Sequence, residues 1–432
     1  MNKALQKNEK KMNSKKLIVI PELMAPVGSF ASLNAALNAG ADSVYFGIDK
    51  MNMRARAANN FTLENVAEVV QKCRKRRVKT YLTINIVLYD EDLDLMRIVI
   101  NRAKDAGIDA IIASDMSAIL YARTVGMGVH ASTQLSISNI ESVCYFAQFA
   151  DTIVLARELS LPMIKKIVQF IERKSITGPG GNLVRIEVFA HGALCVSQSG
   201  RCHLSLFQHN ASANRGMCLQ TCRRKYRIHE EETGHELILD NNFVLSPADL
   251  CTIGFLDQLV DSGISVLKIE GRGRSADYVD CVVRTYREAL GAIKDGQYTV
   301  KNIQKWENQL KKVFHRGLGS GYYLGKPLTD LSGTYGSQAT EEKIFVGKII
   351  HYYPKIKVAE LEVQANEIKV GDQFVVEGDS TGVVWGRIDE LRVDDRLVKK
   401  VFPKCVVTLG IKAVRRSDKF YLVRKRTRLQ VA

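Results

Sequence analysis

From residue 17 to about residue 293 the chain repeats one pattern. A short run rich in Val and Ile is followed by a longer amphipathic stretch. The apolar runs are Leu17–Ala25, Ser43–Ile48, Thr80–Leu88, Ala110–Ser114, Gly128–Thr133, Thr152–Ala156, Arg185–Ala190 and Ser265–Ile269. The stretches between them include Ser32–Asn38, Glu64–Lys75 and Leu93–Ala106, and Asp277–Ile293 follows the last run. Continuous apolar strands separated by helices signal a parallel sheet covered on both faces. The phrases NAGADSVYFG, DAGIDAIIAS and DSGISVLKIE share one punctuation: a helix closes at Gly, and a buried strand opens a few residues later. Eight strand–helix pairs, with a long insertion after the seventh strand, predict an α/β fold, a (β/α)8 TIM-like barrel. An open doubly wound sheet is the alternative. The turn after the first strand reads MAPVGSFAS and lacks the phosphate-binding glycine pattern of that class.

In a barrel the chemistry belongs at the carboxyl ends of the strands. Those ends carry Asn85, Asp115, Ser132, Thr133, Gln134, Arg157, Glu158, His191, Asp249 and Glu270. His191 and Glu270 are the candidates for proton transfer or substrate orientation.

Past the eighth helix the pattern changes. Residues 294–342 read as a helical and then Gly-rich connector. From residue 343 six alternating segments separated by turns predict a small C-terminal β-barrel. Charge is uneven along the chain. The net charge is +16, and residues 1–16 hold six Lys against one Glu, which predicts a basic disordered leader. Residues 343–432 hold 19 basic and 11 acidic residues. Both ends therefore suit an anionic polymer, and Phe420 and Tyr421 beside basic residues suit nucleic acid in particular. No window reaches the ~18–20 apolar residues of a membrane span. No secretory core follows the leader, so a cytoplasmic protein without membrane contact is expected.

Five of the nine cysteines fall in one stretch as C-x6-C-x15-C-x3-C-x28-C: Cys195, Cys202, Cys218, Cys222 and Cys251. Only Cys218 and Cys222 have the spacing of a zinc hairpin. Thiolates gathered from separate loops suit an iron–sulfur cluster as well as zinc, and spacing alone leaves the two open.

The stretch Glu187, Phe189, Gly192, Ala193, Leu194, Cys195, Gly200, Cys202, Leu204, Ser205 resembles the signature of the peptidase U32 family. ELMAPVGS, NRGMCLQTCRRKY, LSPADLC and KIEGRGRSADYV extend the resemblance over nearly the whole chain. One departure is Thr221, where the family usually has Pro. The family name implies a collagenase-like protease, yet the chain has no G-x-S-x-G or H-E-x-x-H motif. The better-understood members look like oxygen-independent hydroxylases that carry a 4Fe–4S cluster. They act on a tRNA wobble uridine, a ribosomal RNA cytidine or a ubiquinone precursor.

The length, the C-terminal domain and the basic ends resemble the tRNA branch. That branch implies formation of 5-hydroxyuridine with prephenate as hydroxyl source. It implies tRNA as partner, and a related family member as a possible second subunit. Carried onto this chain, the resemblance implies Cys195, Cys202, Cys218 and Cys251 as cluster ligands, with Cys222 as the alternative. Arg201, Arg215, Arg223, Arg224 and Arg272 are the expected holders of phosphate or carboxylate groups. A protease and a non-catalytic, zinc-containing RNA-binding protein are the competing functions.

Overall fold

The computed structural model describes residues 18–49, 51–56, 60–227, 231–232, 243–325 and 330–426. The expected leader, residues 1–16, and the last six residues of the basic tail lie outside the described residues. The first nine strands are β1 (Glu22–Pro26), β2 (Ser43–Gly47), β3 (Lys79–Ile84), β4 (Ala110–Ala113), β5 (Gly128–Ala131), β6 (Thr152–Val154), β7 (Arg185–Gly192), β8 (Asp249–Cys251) and β9 (Val266–Ile269). Strands β1 to β7 pair in parallel in chain order, and β9 pairs in parallel with both β7 and β1. The ring is closed, which removes the open-sheet alternative.

The helices form where the punctuation places them. Helix α1 (Phe30–Ala39) is capped by Ser29, whose hydroxyl accepts from the Ser32 backbone, and ends at Gly40 with φ +88°. Gly107 and Gly263 also take positive φ, +79° and +80°. In each phrase the Gly supplies a left-handed turn that other residues adopt at a cost. The last barrel helix is α2 (Ala276–Lys294). The apolar helix faces pack on the barrel in one continuous core.

Three differences position the site. β3 stops at Ile84, four residues before the apolar run ends, and Asn85 opens a loop over the barrel mouth, its side chain accepting from Met53 N. β8 pairs antiparallel with β7, His191 opposite Cys251, as an addition outside the ring. The connector is not a passive spacer. After α3 (Val300–Leu310) its strand β10 (Leu318–Gly319) pairs with β8, and the Tyr323 hydroxyl donates to Phe189 O at 2.7 Å.

The C-terminal domain is an antiparallel sheet around its own core. The six expected segments are β11 (Glu341–Tyr353), β12 (Val358–Val363), β14 (Gln373–Gly378), β15 (Gly382–Arg387), β19 (Cys405–Gly410) and β20 (Lys419–Lys425). Four shorter strands occupy stretches expected as turns: β13 (Ile368–Lys369), β16 (Leu391–Val393), β17 (Arg396–Val398) and β18 (Lys400–Val401). Phe420 is fully buried and stacks on Phe374, and Tyr421 packs on Phe345. Phe420 thus belongs to the domain core, and Tyr421, half-buried, packs on the apolar patch of Ala35, Ala276, Val375 and Val383 between the domains.

The domain docks on the barrel through Lys343, which bonds Asp277 at 2.8 Å and Glu377 at 2.6 Å, and through Trp385, which donates to Asp280 at 3.0 Å. A Cβ at Gly382 would lie 2.8 Å from the backbone nitrogen of Ala35, so α1 and β15 touch backbone to backbone. Among the described residues no helix is long and apolar enough to cross a membrane.

Candidate active site: a thiol-lined cavity at the carboxyl end of the barrel

The barrel interior holds a buried ion cluster. Glu187 on β7 accepts from Lys268 Nζ on β9 at 2.8 Å and pairs with His130 Nδ1 on β5 at 2.9 Å. Burial alone would raise the Glu187 pKa; Lys268 and His130 outweigh it and hold the carboxyl at about 2. Above this cluster opens a cavity of about 220 Å³. Lys268 lies at its floor, 4.5 Å from the Tyr45 ring centre. Glu270, just past β9, is held by Arg54 through Nε at 3.1 Å and Nη2 at 2.9 Å, and accepts from the Tyr45 hydroxyl at 3.0 Å. Burial opposes its ionisation, and Arg54, Arg272 and Arg157 overcome that, so its pKa falls to about 2.

Arg272 is 5% exposed and donates through Nη1 to Asn52 Oδ1 and Thr83 Oγ1. Arg157 lies 3.8 Å over the Phe189 ring and donates to Ala193 O. The Nε atoms of Arg157 and Arg272 and the Thr133 hydroxyl are buried with no hydrogen-bond partner among the described residues. All three residues line the cavity. Buried donors without partners are rare in folded proteins, and they are unspent binding capacity for an anionic ligand. Arg274 and Arg316, the latter from the connector, complete a lining in which Glu270 is the one carboxylate among the described residues.

The insertion covers this floor. β7 ends at Gly192 with φ +105°, where a Cβ would sit 2.3 Å from Glu270 O. Gly200, at φ +78°, passes over Gln134, where a Cβ would meet that side chain at 2.7 Å. These two close approaches are why the motif has glycine there. Beyond them Cys195, Cys202, Cys218 and Cys222 all line the cavity. Burial pushes the Cys222 thiol up, Arg223 pulls it down, and Cys195, Cys218 and Cys202 push it up again, so the four thiols share one field. Thr221 is buried and opens the single turn Thr221–Arg223 that presents Cys222.

Cys251 does not join them. On β8 it is absent from the lining; burial pushes its thiol to about 11, and its polar neighbours are Tyr286, Glu307 and Lys311. Of the expected ligands, Cys195, Cys202 and Cys218 line the cavity together with the alternative Cys222, and Cys251 lies outside that lining. Four thiols around one space match the donor set of an iron–sulfur cluster. Among the described residues no three His, Cys, Asp or Glu side chains close around a single ion.

The other expected residues divide. Glu270 and Arg272 line the cavity. Arg223 lines it too, but donates to Ser246 Oγ, Pro247 O and Leu194 O and ties the insertion together. Arg215 lies outside the lining, paired with Asp92 at 2.6 Å and stacked on Tyr89. Arg201 and Arg224 are exposed outside the lining. His191 does not face the cavity: it is 2% exposed, lies 3.4 Å from the Tyr286 hydroxyl, and burial with His315 and Arg274 lowers its pKa to about 3. The expected proton-transfer residue His191 is thus packed beside Tyr286, outside the cavity lining. Sequence reasoning missed Arg54, Lys268, Arg274 and Arg316. Lys268 had a visible signal, a lone charge inside the apolar run VLKI, and Arg274 lies in the segment KIEGRGRSADYV; Arg54 and Arg316 had none.

The fold and site define a (β/α)8-barrel protein with a cationic, four-thiol cavity at the carboxyl ends of its strands. The model of peptidase family U32 matches residues 28–332, and the chain belongs to that family. A Porphyromonas gingivalis protein named collagenase is 49% identical over 406 residues, 94% of this chain and 98% of its own length. The tRNA hydroxylation protein P1 of Bacillus subtilis is 32% identical over 425 residues, 92% of this chain and 97% of its own. The 23S rRNA 5-hydroxycytidine C2501 synthase of Escherichia coli is 31% identical over 353 residues, 80% of this chain and 50% of its own.

Proposed function

We propose that the protein hydroxylates tRNA without oxygen, forming 5-hydroxyuridine at the wobble position with prephenate as hydroxyl source and a 4Fe–4S cluster as cofactor. The observation that carries the reading is the convergence of Cys195, Cys202, Cys218 and Cys222 on one cationic cavity. These four thiols would hold the cluster, which when bound supplies an electron-transfer or Lewis-acid centre. Arg157, Arg272 and Lys268 hold the anionic donor, a dicarboxylate, against the floor. Glu270, ionised and clamped by Arg54, fixes the guanidinium geometry and is not a proton donor at neutral pH. The relative named tRNA hydroxylation protein P1 matches 92% of this chain and 97% of its own length, against 80% and 50% for the ribosomal RNA synthase, which favours tRNA.

The collagenase name of the 49%-identical relative makes proteolysis the rival reading. A thiol protease needs a histidine beside its cysteine. Among the described residues no histidine lines the cavity, and His191 and His130 are buried. The test is nucleoside analysis of tRNA from a deletion strain. Loss of 5-hydroxyuridine and its derivatives is the expected result, and unchanged tRNA in a strain without a second route refutes the assignment. Gelatin cleavage by the pure protein, lost in Cys195→Ala, would install the protease instead.

A further inference from the structure

The first part of the insertion is basic and its second part acidic. From Gly192 to Arg227 it contains six Arg and Lys residues and no Asp or Glu, and Glu230, Glu231, Glu232, Glu236 and Asp240 follow before β8. Arg201, Arg224, Lys225 and Arg227 are exposed. Its one helix, Leu204–His209, carries Phe207 at 90% exposure, the largest value among the exposed large apolar side chains described.

Phe207 does not sit on a loose loop. Its own N–H donates to His203 O at 2.8 Å, Asn210 N to Leu206 O at 2.9 Å, and Leu219 N to Ser205 Oγ at 3.0 Å. The last bond fastens the helix to the segment between Cys218 and Cys222. Cys202, two residues before the helix, lines the cavity. An ordered aromatic is therefore held out into water, five residues from a cysteine of the cavity lining and in a segment that carries exposed cations and no acidic residue of its own.

Proteins that bind single strands combine cationic tracks with aromatic faces on which bases stack. An enzyme acting on a base must also take it out of its stack, which leaves the neighbouring base without a partner. We propose that this insertion face docks a single-stranded RNA loop, with Phe207 stacking on the base next to the one that enters the cavity. The proposal rests on the RNA-modification reading and adds the surface that holds the RNA. Exposed cations on the same face supply the phosphate contacts. Phe420 of the β-domain is fully buried and Tyr421 is half-buried against Phe345, whereas Phe207 is open to solvent.

The experiment uses the full chain, purified without oxygen, a labelled anticodon stem–loop of about 17 nucleotides and a fully paired RNA duplex. Binding is read by anisotropy across a salt series. Phe207→Ala should weaken loop binding about tenfold or more, leave duplex binding unchanged, and keep the salt dependence; Phe207→Tyr should restore affinity. Arg224→Ala, Lys225→Ala and Arg227→Ala together should flatten the logarithmic salt slope by about 2. Leu397→Ala, an exposed apolar change on β17, should bind like the wild type. Wild-type binding that Phe207→Ala leaves within twofold overturns the stacking proposal while the RNA reading stands. Equal loss on loop and duplex also overturns it. A wild-type protein that binds neither RNA overturns the underlying RNA reading itself.

Discussion

Cys222 and Cys251 differ in something their spacing could not display: the direction in which the chain turns after them. Cys222 follows Gln220, whose φ of +52° swings the short turn over the cavity. Cys251 follows Asp249 into a strand that lies along the outside of β7. If the four cavity thiols hold a cluster, Cys222→Ala purified without oxygen should lose the broad visible absorbance and most of about four irons per chain. Cys251→Ala should keep both; iron lost from Cys251→Ala and retained in Cys222→Ala would return Cys251 to the ligand set.

Glu187 offers a second prediction at this scale. Its folded pKa of about 2 lies below the ordinary 4.5, so its stabilising effect is complete above about pH 4.5. The effect is lost as pH falls from there toward 2. It amounts to on the order of 3 kcal/mol. Urea midpoints should therefore fall between pH 5 and pH 3, and Glu187→Gln should flatten that fall.

At the scale of elements, the barrel strands and their helices could be read in advance because each parallel strand is buried on both faces. Burial makes a continuous apolar run, and the closing glycines mark where each helix stops. β8 and β10 were not legible. They are three and two residues long, and their pairing depends on contacts between segments far apart in sequence. The loop after β2 that carries Arg54 shows no periodicity at all, so the residue that clamps Glu270 had no sequence signal. β20 shows a different failure. Its basic residues and aromatics read as an RNA-binding tail, but the strand is central and contributes Phe420 and Leu422 to the core. Removing residues 412–432 should therefore melt the β-domain outright and not merely weaken RNA binding. Circular dichroism of that truncated protein, with lost β signal and early proteolysis of residues 341–411, is the check. A cooperative β-domain transition at the wild-type temperature would contradict it.

Across the whole molecule, the two domains are joined by partly buried charge. Lys343 on β11 reaches Asp277 at the start of α2 and Glu377 on β14. Removing one member of such a set leaves the others buried without compensation, typically at about 3–5 kcal/mol. Lys343→Met should separate the thermal unfolding of barrel and β-domain into two transitions where the wild type shows one. A single unshifted transition would show that Trp385 and the α1–β15 contact suffice for docking. The overall charge, read from the sequence as a device of the two ends, also looks different in three dimensions. The nearly neutral middle hides a segregation along the insertion, whose basic part runs from Gly192 to Arg227 and whose acids, from Glu230 to Asp240, come after it.

The strap formed by the connector bears on how such chains can be recombined. Arg316 lines the cavity, β10 extends β8, and Tyr323 is tied to β7. Pro247 also bridges to Leu331, and the family match runs to residue 332. A crossover placed after the eighth barrel helix would keep every barrel strand and delete one wall of the cavity. The hereditary module therefore ends near Ala339, some 45 residues past the last barrel helix. β-domains exchanged between relatives at that later seam would leave the catalytic wall with its own barrel.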